Sequence, residues 1–293
     1  MQNNFVSNKT ILVTGANGQL GNELRQLASD YPDYQFQFTT KEDLPIDNFE
    51  RVKNYFEDTQ IDYCINCAAY TAVDKAETES DKAYLINAYA VANLAQVCLN
   101  HQTQLIHIST DYVFNGSASV PYKEDDAIDP INTYGASKLK GEELALNNNP
   151  SILIIRSSWV YSSFGNNFVK TMVRLMNEKE SINVVNDQYG CPTYAADLAD
   201  IIMKIIDRPK TNSLSGIVNY CNEGIINWHQ FALGIKEIIK GNCIVNPIPS
   251  SAYITAAKRP QYSVLDTTKI RSLLGINIPH WRASLQKCLS ALI

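Results

Sequence analysis

The sequence predicts an α/β fold, a doubly wound parallel sheet with a smaller C-terminal lobe, from two observations. Short apolar runs alternate with amphipathic stretches through the first half, which is the strand–helix rhythm of a parallel sheet covered by helices on both faces. After about residue 157 this rhythm loosens, and helix-like stretches alternate with loop segments that contain Pro and Gly. We therefore expect a sheet domain at 1–157 and a lobe formed mainly by 158–293. Later segments of the chain are expected to add strands to the sheet.

The individual elements follow from apolar runs for strands and from apolar residues at helical spacing for helices. The predicted strands lie near residues 10–14, 35–39, 61–66, 104–109 and 152–156. The predicted helices lie near 18–29, 48–58, 81–100, 132–147, 165–178, 194–207 and 227–240. Right-handed crossovers favour the doubly wound arrangement, but the order of the strands in the sheet cannot be read from the sequence.

Composition excludes several classes of protein. The 293 residues are enough to bury a full core, and 45% hydrophobic with 19% charged residues is typical of a globular protein. The net charge of −5 and the lack of a Lys/Arg-rich stripe argue against nucleic-acid binding. No secretory leader is recognisable, and no apolar run approaches the ~18 residues of a membrane span. We expect a cytoplasmic protein that binds neither nucleic acid nor membrane.

Cysteines and histidines do not predict a metal site. The seven cysteines are an odd number scattered through apolar segments, which favours reduced thiols over disulfides. Cys64 and Cys67 form a C-x-x-C pattern, but they lie in or beside a predicted strand, where residues three apart face opposite sides of the sheet. The four histidines show no ligand spacing. We therefore predict no metal.

A glycine-rich turn follows the first predicted strand. Gly15, Gly18 and Gly21 allow a tight turn, close approach of a pyrophosphate to the backbone, and close packing of the next helix. The helix N-terminus offers free N–H groups to phosphates, so the segment predicts a Rossmann-like dinucleotide site. At the end of the second strand, where a carboxylate usually binds the ribose, the chain has Thr40 and Lys41. This allows NADPH or NADH, although a lone Lys is more often a solvated loop charge.

A second motif predicts the reaction. Tyr134 and Lys138 are four residues apart and share one face of a predicted helix. A nearby ammonium lowers the pKa of a phenol, so Tyr134 becomes a general acid for a carbonyl oxygen that receives hydride at carbon. Thr110, just after a predicted strand, would hydrogen-bond the same oxygen. The interpretation depends on the combination, because a Tyr–Lys pair alone occurs in many helices by chance.

Two further residues have alternative interpretations. Asp111 either caps a turn, the ordinary role of Asp after a strand, or contacts a substrate. Trp159 follows the strand near 152–156 and either belongs to the core or lines a sugar site at the carboxyl end of the sheet. The second half would then be a substrate-binding lobe.

With these residues in place, the chain resembles the dTDP-4-dehydrorhamnose reductases, a family of extended short-chain dehydrogenase/reductases, over nearly its whole length. The matching segments are 13–21, 66–77, 109–114, 134–138, 156–161, 186–193 and 259–260. The resemblance implies that NADPH or NADH reduces the C4 keto group of a nucleotide sugar, dTDP-4-dehydro-L-rhamnose. A homodimer and Mg²⁺ at a dimer contact are implied by the family alone, and equivalent carboxylates are not identifiable in this sequence.

The resemblance also implies roles for individual residues. Thr110, Tyr134 and Lys138 would form the catalytic triad, and Lys138 would also hold the nicotinamide ribose. The remaining cofactor contacts would be Gly18, Gln19 and Leu20 at the pyrophosphate, Asp47 and Asn48 at the adenine, and Ala68, Ala69 and Tyr70 along the cofactor. Trp159 and Arg259 would face the nucleotide sugar.

Two alternatives stay open. The same scaffold could reduce another 4-keto nucleotide sugar, because the base and the sugar stereochemistry are read by the second half. The second alternative is a non-catalytic role, since the regulatory β subunit of methionine adenosyltransferase also resembles this family. The intact Thr110, Tyr134 and Lys138 favour catalysis.

Overall fold

The computed structural model describes residues 9–209 and 213–292. The strands are β1 Lys9–Thr14, β2 Tyr34–Thr39, β3 Tyr63–Asn66, β4 Gln104–Thr110, β5 Leu153–Ser157, β6 Val160–Tyr161, β7 Ser181–Val185, β8 Tyr189–Gly190, β9 Thr193–Tyr194, β10 Gly216–Asn219, β11 Ile226–Asn227 and β12 Ile244–Ile248. The helices are α1 Gln19–Leu27, α2 Phe49–Asp58, α3 Val73–Ala76, α4 Ser80–Tyr84, α5 Ala90–Asn100, α6 Thr133–Asn148, α7 Phe168–Glu178, α8 Ala195–Ile206, α9 Trp228–Ile239, α10 Thr268–Leu274 and α11 Trp281–Leu292.

Six parallel strands form the central sheet, in the order β10-β5-β4-β3-β1-β2. The α/β fold with a doubly wound parallel sheet is therefore confirmed. The chain moves outward from β1 in both directions, so the sheet has its topological switch point between β1 and β3, where open α/β sheets bind ligands. The edge strand β10 comes from the second half of the chain.

Helices cover both faces of this sheet, because successive strand residues point to opposite sides. Ile11 and Val13 of β1 pack with α1, α8 and α10, whereas Leu12 packs with α2, α5 and α6. Cys64 belongs to the second of these cores and Cys67 packs against the first, as predicted for residues three apart. All seven cysteines are free thiols.

One predicted helix differs from expectation. The stretch near 81–100 is not a single α-helix, because a π-helical segment, Leu85–Tyr89, separates α4 from α5. Asn87 at its centre is fully buried, accepts a hydrogen bond from the Tyr70 N–H at 2.8 Å and donates to the Tyr70 carbonyl at 3.0 Å. The π-turn thus directs a polar side chain inward, which an apolar stripe in the sequence does not reveal.

A second core lies outside the sheet. It is formed by α7, α9 and α11 together with the paired strands β7 and β12, and it includes Phe231 and Trp281. Its residues all come from the part of the chain after residue 157, although α8, α10 and β10 from that part pack with the sheet. The division at 157/158 itself stays a prediction. Among the residues described, no helix has both the length and the apolar character of a membrane span.

Candidate active site

A cleft of ≈ 860 Å³ opens at the carboxyl ends of the central strands. Gly15 follows β1, Ala68 and Ala69 follow β3, and Thr110 ends β4, so the cleft lies at the switch point of the sheet. The structure brings together twelve of the predicted site residues in its lining. They are Gly15, Gly18, Gln19, Leu20, Asp47, Ala68, Ala69, Thr110, Asp111, Tyr134, Lys138 and Trp159.

The glycine turn forms one wall of the cleft. Gly15 has φ +64°, and a Cβ there would lie 2.7 Å from the Ala68 Cα, so only glycine lets the loops after β1 and β3 touch. Gly18 is the N-cap of α1, and no side chain caps this helix, so its first amides remain available to an anion. Gly21 is not in the cleft lining. It packs on Ala16, whose Cα would lie 2.6 Å from an added Cβ.

The rim beyond β2 contains the predicted adenine end. Thr40, Lys41, Glu42 and Asp47 line the cleft there. Asn48 does not, and its side chain instead caps α2 by accepting a hydrogen bond from the Arg51 N–H at 3.1 Å. The rim therefore combines one exposed lysine with carboxylates.

Helix α6 begins against the end of β4, which brings the catalytic candidates together. Asn132 caps this helix by accepting a hydrogen bond from the Gly135 N–H at 2.8 Å. A Cβ at Gly135 would lie 2.1 Å from the Tyr112 carbonyl oxygen, so glycine is needed for the approach. As a result, the Tyr134 phenol lies close enough to the Thr110 hydroxyl for that group to affect its pKa.

The pKa of the Tyr134 phenol differs from the sequence prediction. Burial raises it to about 12, and this effect outweighs the opposing hydrogen bond with Thr110. The expected lowering by a nearby ammonium is wrong for this geometry, because Lys138 Nζ is directed at β4, 2.8 Å from the Ile108 carbonyl oxygen. The phenol is therefore protonated at neutral pH, as a proton donor requires.

Asp111 lies in the same cleft and is buried. Burial raises its pKa to about 7, although hydrogen bonds from Ser263 and Thr110 oppose the shift. Thr110 Oγ1 donates to Asp111 Oδ1 at 3.0 Å. The carboxyl group begins a short 3₁₀ turn, Asp111–Val113, and also lines the cleft, so both interpretations of this residue agree with its position.

Two tryptophans line the side of the cleft that the second half of the chain forms. Trp159 has φ +47°, and its ring stacks on Trp228 with the centroids 3.5 Å apart. A Cβ at Gly190 would lie 2.6 Å from the Trp159 ring. The sequence analysis missed Trp228. The available signal was the capping box formed by Asn227 and Gln230, which places this Trp at the start of α9.

Besides Gly21 and Asn48, two more predicted site residues lie outside the cleft lining. The Tyr70 backbone is held by Asn87, and its hydroxyl donates to Glu79 Oε2 at 3.2 Å. Arg259 forms an ion pair with Asp74, with Nη2 2.8 Å from Oδ2. Both side chains are thus engaged with neighbouring segments, which the motif match could not show.

A buried ion pair anchors helix α6. Arg156 of β5 and Glu142 of α6 are both 2% exposed, and Nη2 lies 2.7 Å from Oε2. Ser109 donates to Glu142 Oε1 at 2.5 Å. Glu142 follows Lys138 by one helical turn, so the pair ties the face of α6 that contains Lys138 to the ends of β4 and β5. Sequence reasoning assigned these two residues no role.

No group of three or more His, Cys, Asp and Glu side chains among residues 9–209 and 213–292 is placed to hold a metal ion. The Mg²⁺ implied by the resemblance therefore has no ligand set in the part of the chain that the structure describes.

Comparison with known proteins identifies the family. The family model described as RmlD substrate binding domain matches residues 9–293. The chain belongs to the RmlD family. It is 38% identical to the dTDP-4-dehydrorhamnose reductase of Aggregatibacter actinomycetemcomitans, over 94% of this chain and 97% of that protein. It is 42% identical to the spore coat polysaccharide biosynthesis protein SpsK of Bacillus subtilis, over 95% and 96%.

A solved structure is similar to nearly the whole chain. The dTDP-4-dehydrorhamnose reductase of Bacillus anthracis, in complex with NADP, matches with a TM-score of 0.92 and 38% identity, over 97% of this chain and 99% of that one. The family resemblance predicted from the sequence motifs is confirmed.

Proposed function

We propose that this RmlD-family chain is an NAD(P)H-dependent reductase of the C4 keto group of dTDP-4-dehydro-L-rhamnose, which it converts to dTDP-L-rhamnose. The observation that carries the proposal is the meeting of Thr110, Tyr134 and Lys138 in a cleft whose opposite wall is a glycine-cradled helix N-terminus. The names of the relatives support the substrate, and the NADP complex of the Bacillus anthracis reductase supports the cofactor.

The cleft fits a nicotinamide dinucleotide. The uncapped first turn of α1 offers N–H groups to a pyrophosphate through Gly18, Gln19 and Leu20. Asp47 and the Lys41 rim would hold the adenosine end, and Ala68 with Ala69 leaves room between the two ends. When bound, the reduced nicotinamide supplies the hydride.

Tyr134 is the proton donor in this proposal. Its phenol is protonated at neutral pH, and Tyr134 and Thr110 both line the cleft. There they would bind the substrate carbonyl oxygen, and Tyr134 would transfer its proton as that oxygen gains negative charge. Lys138 would hold the ribose end and return to β4 when released.

The substrate lobe contributes the sugar side of the cleft. Trp159 and Trp228 present apolar ring surface, which suits contact with a deoxysugar, and Asp111 supplies a polar group for a hydroxyl. Arg259 remains a predicted substrate contact, which would require its separation from Asp74. The homodimer and the cytoplasmic location stay predictions.

The test is oxidation of NADPH and NADH with enzymatically generated dTDP-4-dehydro-L-rhamnose, with identification of the product at C4. Rapid oxidation that yields dTDP-L-rhamnose supports the proposal. If NADPH or NADH is oxidised only with a different 4-keto nucleotide sugar, that sugar is the substrate. A regulatory subunit would be favoured instead if the folded protein binds NADPH but reduces no nucleotide sugar, and if a pull-down recovers one stoichiometric enzyme partner.

Gly18→Val tests the pyrophosphate cradle. The backbone at Gly18 is extended, so valine is tolerated there, but its Cβ would lie 3.1 Å from the Gly15 carbonyl oxygen and its methyl groups would fill the cradle. Overpacking typically costs about 1–3 kcal/mol, so NADPH should bind about 5- to 150-fold more weakly in a titration. Gly241→Val, where an added Cβ meets only ordinary contacts at 3.4 Å or more, is the control. Equal NADPH affinity in both variants would refute the assignment.

Lys41→Glu tests the choice of coenzyme. If the Lys41 ammonium faces the 2′-phosphate, its reversal should weaken NADPH by about fivefold and leave NADH unchanged, since an exposed ion pair is worth at most ~1 kcal/mol. Lys53→Glu makes the same charge change at an exposed position on α2 and serves as the control. A similar loss in both variants, or an equal loss for both coenzymes, would assign Lys41 to the solvated loop.

A further inference from the structure

A chain of buried polar groups lies behind Lys138, on the side away from the cleft. His107 of β4 is fully buried, and its Nε2 lies 3.2 Å from Lys138 Nζ. Its other ring nitrogen, Nδ1, lies 3.0 Å from Nδ2 of Asn66 on the neighbouring strand β3. The catalytic lysine is therefore connected to a histidine and an amide that the proposed reaction does not use.

The orientation of the Asn66 amide is determined by a backbone group. The Ala68 N–H can only donate, and it donates to Asn66 Oδ1 at 3.3 Å. Thr14 Oγ1 donates to the same oxygen at 2.7 Å. The amide NH₂ must then face His107, so Nδ1 of the imidazole is the acceptor of that hydrogen bond.

This arrangement assigns the histidine tautomer. A neutral imidazole carries one proton, and because Nδ1 accepts, the proton is on Nε2. Burial, the larger cause, holds the pKa of His107 well below its usual value, so the ring is neutral. The Nε2–H therefore points at Lys138 Nζ. An ammonium has no lone pair to accept this N–H, whereas an uncharged amine has one and still donates to the Ile108 carbonyl oxygen.

We propose that His107 is a positioning residue for Lys138: fixed by Asn66 as the Nε2–H tautomer, it holds the lysine side chain against β4 and favours the uncharged amine there. The consequence for turnover is that Lys138 exchanges its proton and is not a permanent cation. Only this consequence rests on the proposed reductase function.

The other charged groups near Lys138 do not replace this effect. Burial lowers the pKa of Lys138 to about 8, and the Glu142 carboxylate opposes the shift. That carboxylate is already paired with Arg156 and accepts from Ser109. On the cleft side lie Asp111 and the protonated phenol of Tyr134. The imidazole N–H thus lowers the pKa of Lys138, as burial does, whereas Glu142 raises it.

The first experiment determines the tautomer in the wild-type protein without substrate. Long-range ¹H–¹⁵N correlation spectra of histidine-labelled protein distinguish Nε2–H from Nδ1–H rings, and the loss of one of the four ring patterns in His107→Leu assigns the signal. We expect the Nε2–H form. An Nδ1–H ring, or one that becomes charged near neutral pH, would overturn the proposal, whatever the enzyme reduces.

The second experiment measures the titration of Lys138 by competitive labelling with acetic anhydride, which reacts with uncharged amines, and peptide mass spectrometry. In His107→Leu the pKa of Lys138 should rise by about one unit, because a hydrogen bond that favours the uncharged form is lost. Thr14→Val is the control, since the Ala68 N–H still orients Asn66, and Lys138 should titrate as in wild type. An unchanged Lys138 pKa in His107→Leu would overturn the proposal.

A purely structural role for His107 would lower activity at every pH without moving the profile. In the proposed reductase, the basic limb of kcat/KM should shift to higher pH by the same amount as the Lys138 pKa. If no nucleotide sugar is reduced at all, the proposed function fails, while the tautomer and the labelling results still decide this inference. If the pKa of Lys138 rises but the basic limb of kcat/KM does not shift, the proposed consequence for turnover is wrong.

Discussion

Tyr134→Phe is expected to lower kcat by about 10²–10⁴-fold, the range typical of a lost general acid. The substitution removes only the phenol oxygen, and the aromatic ring keeps its edge contact with Tyr112, 5.8 Å away between centroids. The glycine cradle lies on the opposite wall, so NADPH affinity should change little. Steady-state reduction of dTDP-4-dehydro-L-rhamnose and a separate NADPH titration measure the two quantities.

Tyr112→Phe is the matched control for this variant. Tyr112 also lines the cleft, but it follows β4, and its carbonyl oxygen lies against Gly135 in the first turn of α6. The loss in kcat should therefore be far smaller than for Tyr134→Phe. Equal losses in both variants, or full turnover by Tyr134→Phe, would remove Tyr134 from the role of proton donor.

Arg156→Met is expected to lower the free energy of unfolding by about 3–5 kcal/mol, since removal of one partner leaves the buried Glu142 carboxylate without its counter-charge. The guanidinium also donates to the Glu124 carbonyl oxygen at 3.1 Å and lies over the Phe114 ring, so its loss affects the loop after β4 as well. Denaturant unfolding monitored by circular dichroism measures the change.

Two comparisons isolate the effect of burial. Arg174→Met breaks a pair of the same 2.7 Å length with Glu178, but both side chains are more than half exposed, so the cost should be at most about 1 kcal/mol. Combining Arg156→Met with Glu142→Leu removes both charges and should recover much of the lost stability. An Arg156→Met variant as stable as Arg174→Met would show that the buried pair contributes little.

The sequence by itself determined the elements and the motifs. Apolar runs and helical spacing placed every strand of the first half within a few residues, because these patterns report the local choice between a strand buried on both faces and an amphipathic helix. Gly15 and Gly18 could be assigned to a turn before α1 because a short run of residues contains the whole motif. The Tyr134–Lys138 pair was visible for the same reason, since one turn of helix fixes their spacing.

The tertiary structure decided whatever depends on residues far apart in the chain. The charge on Lys138 was expected to lower the pKa of Tyr134, but the Lys138 side chain lies against β4. Only the folded sheet shows that His107 is its neighbour there. Trp228 at the start of α9 stacks on Trp159, which lies between β5 and β6, about 70 residues earlier in the chain. Spacing along the chain carries no information about such contacts, because burial and hydrogen-bond direction arise only when separate strands and helices pack together.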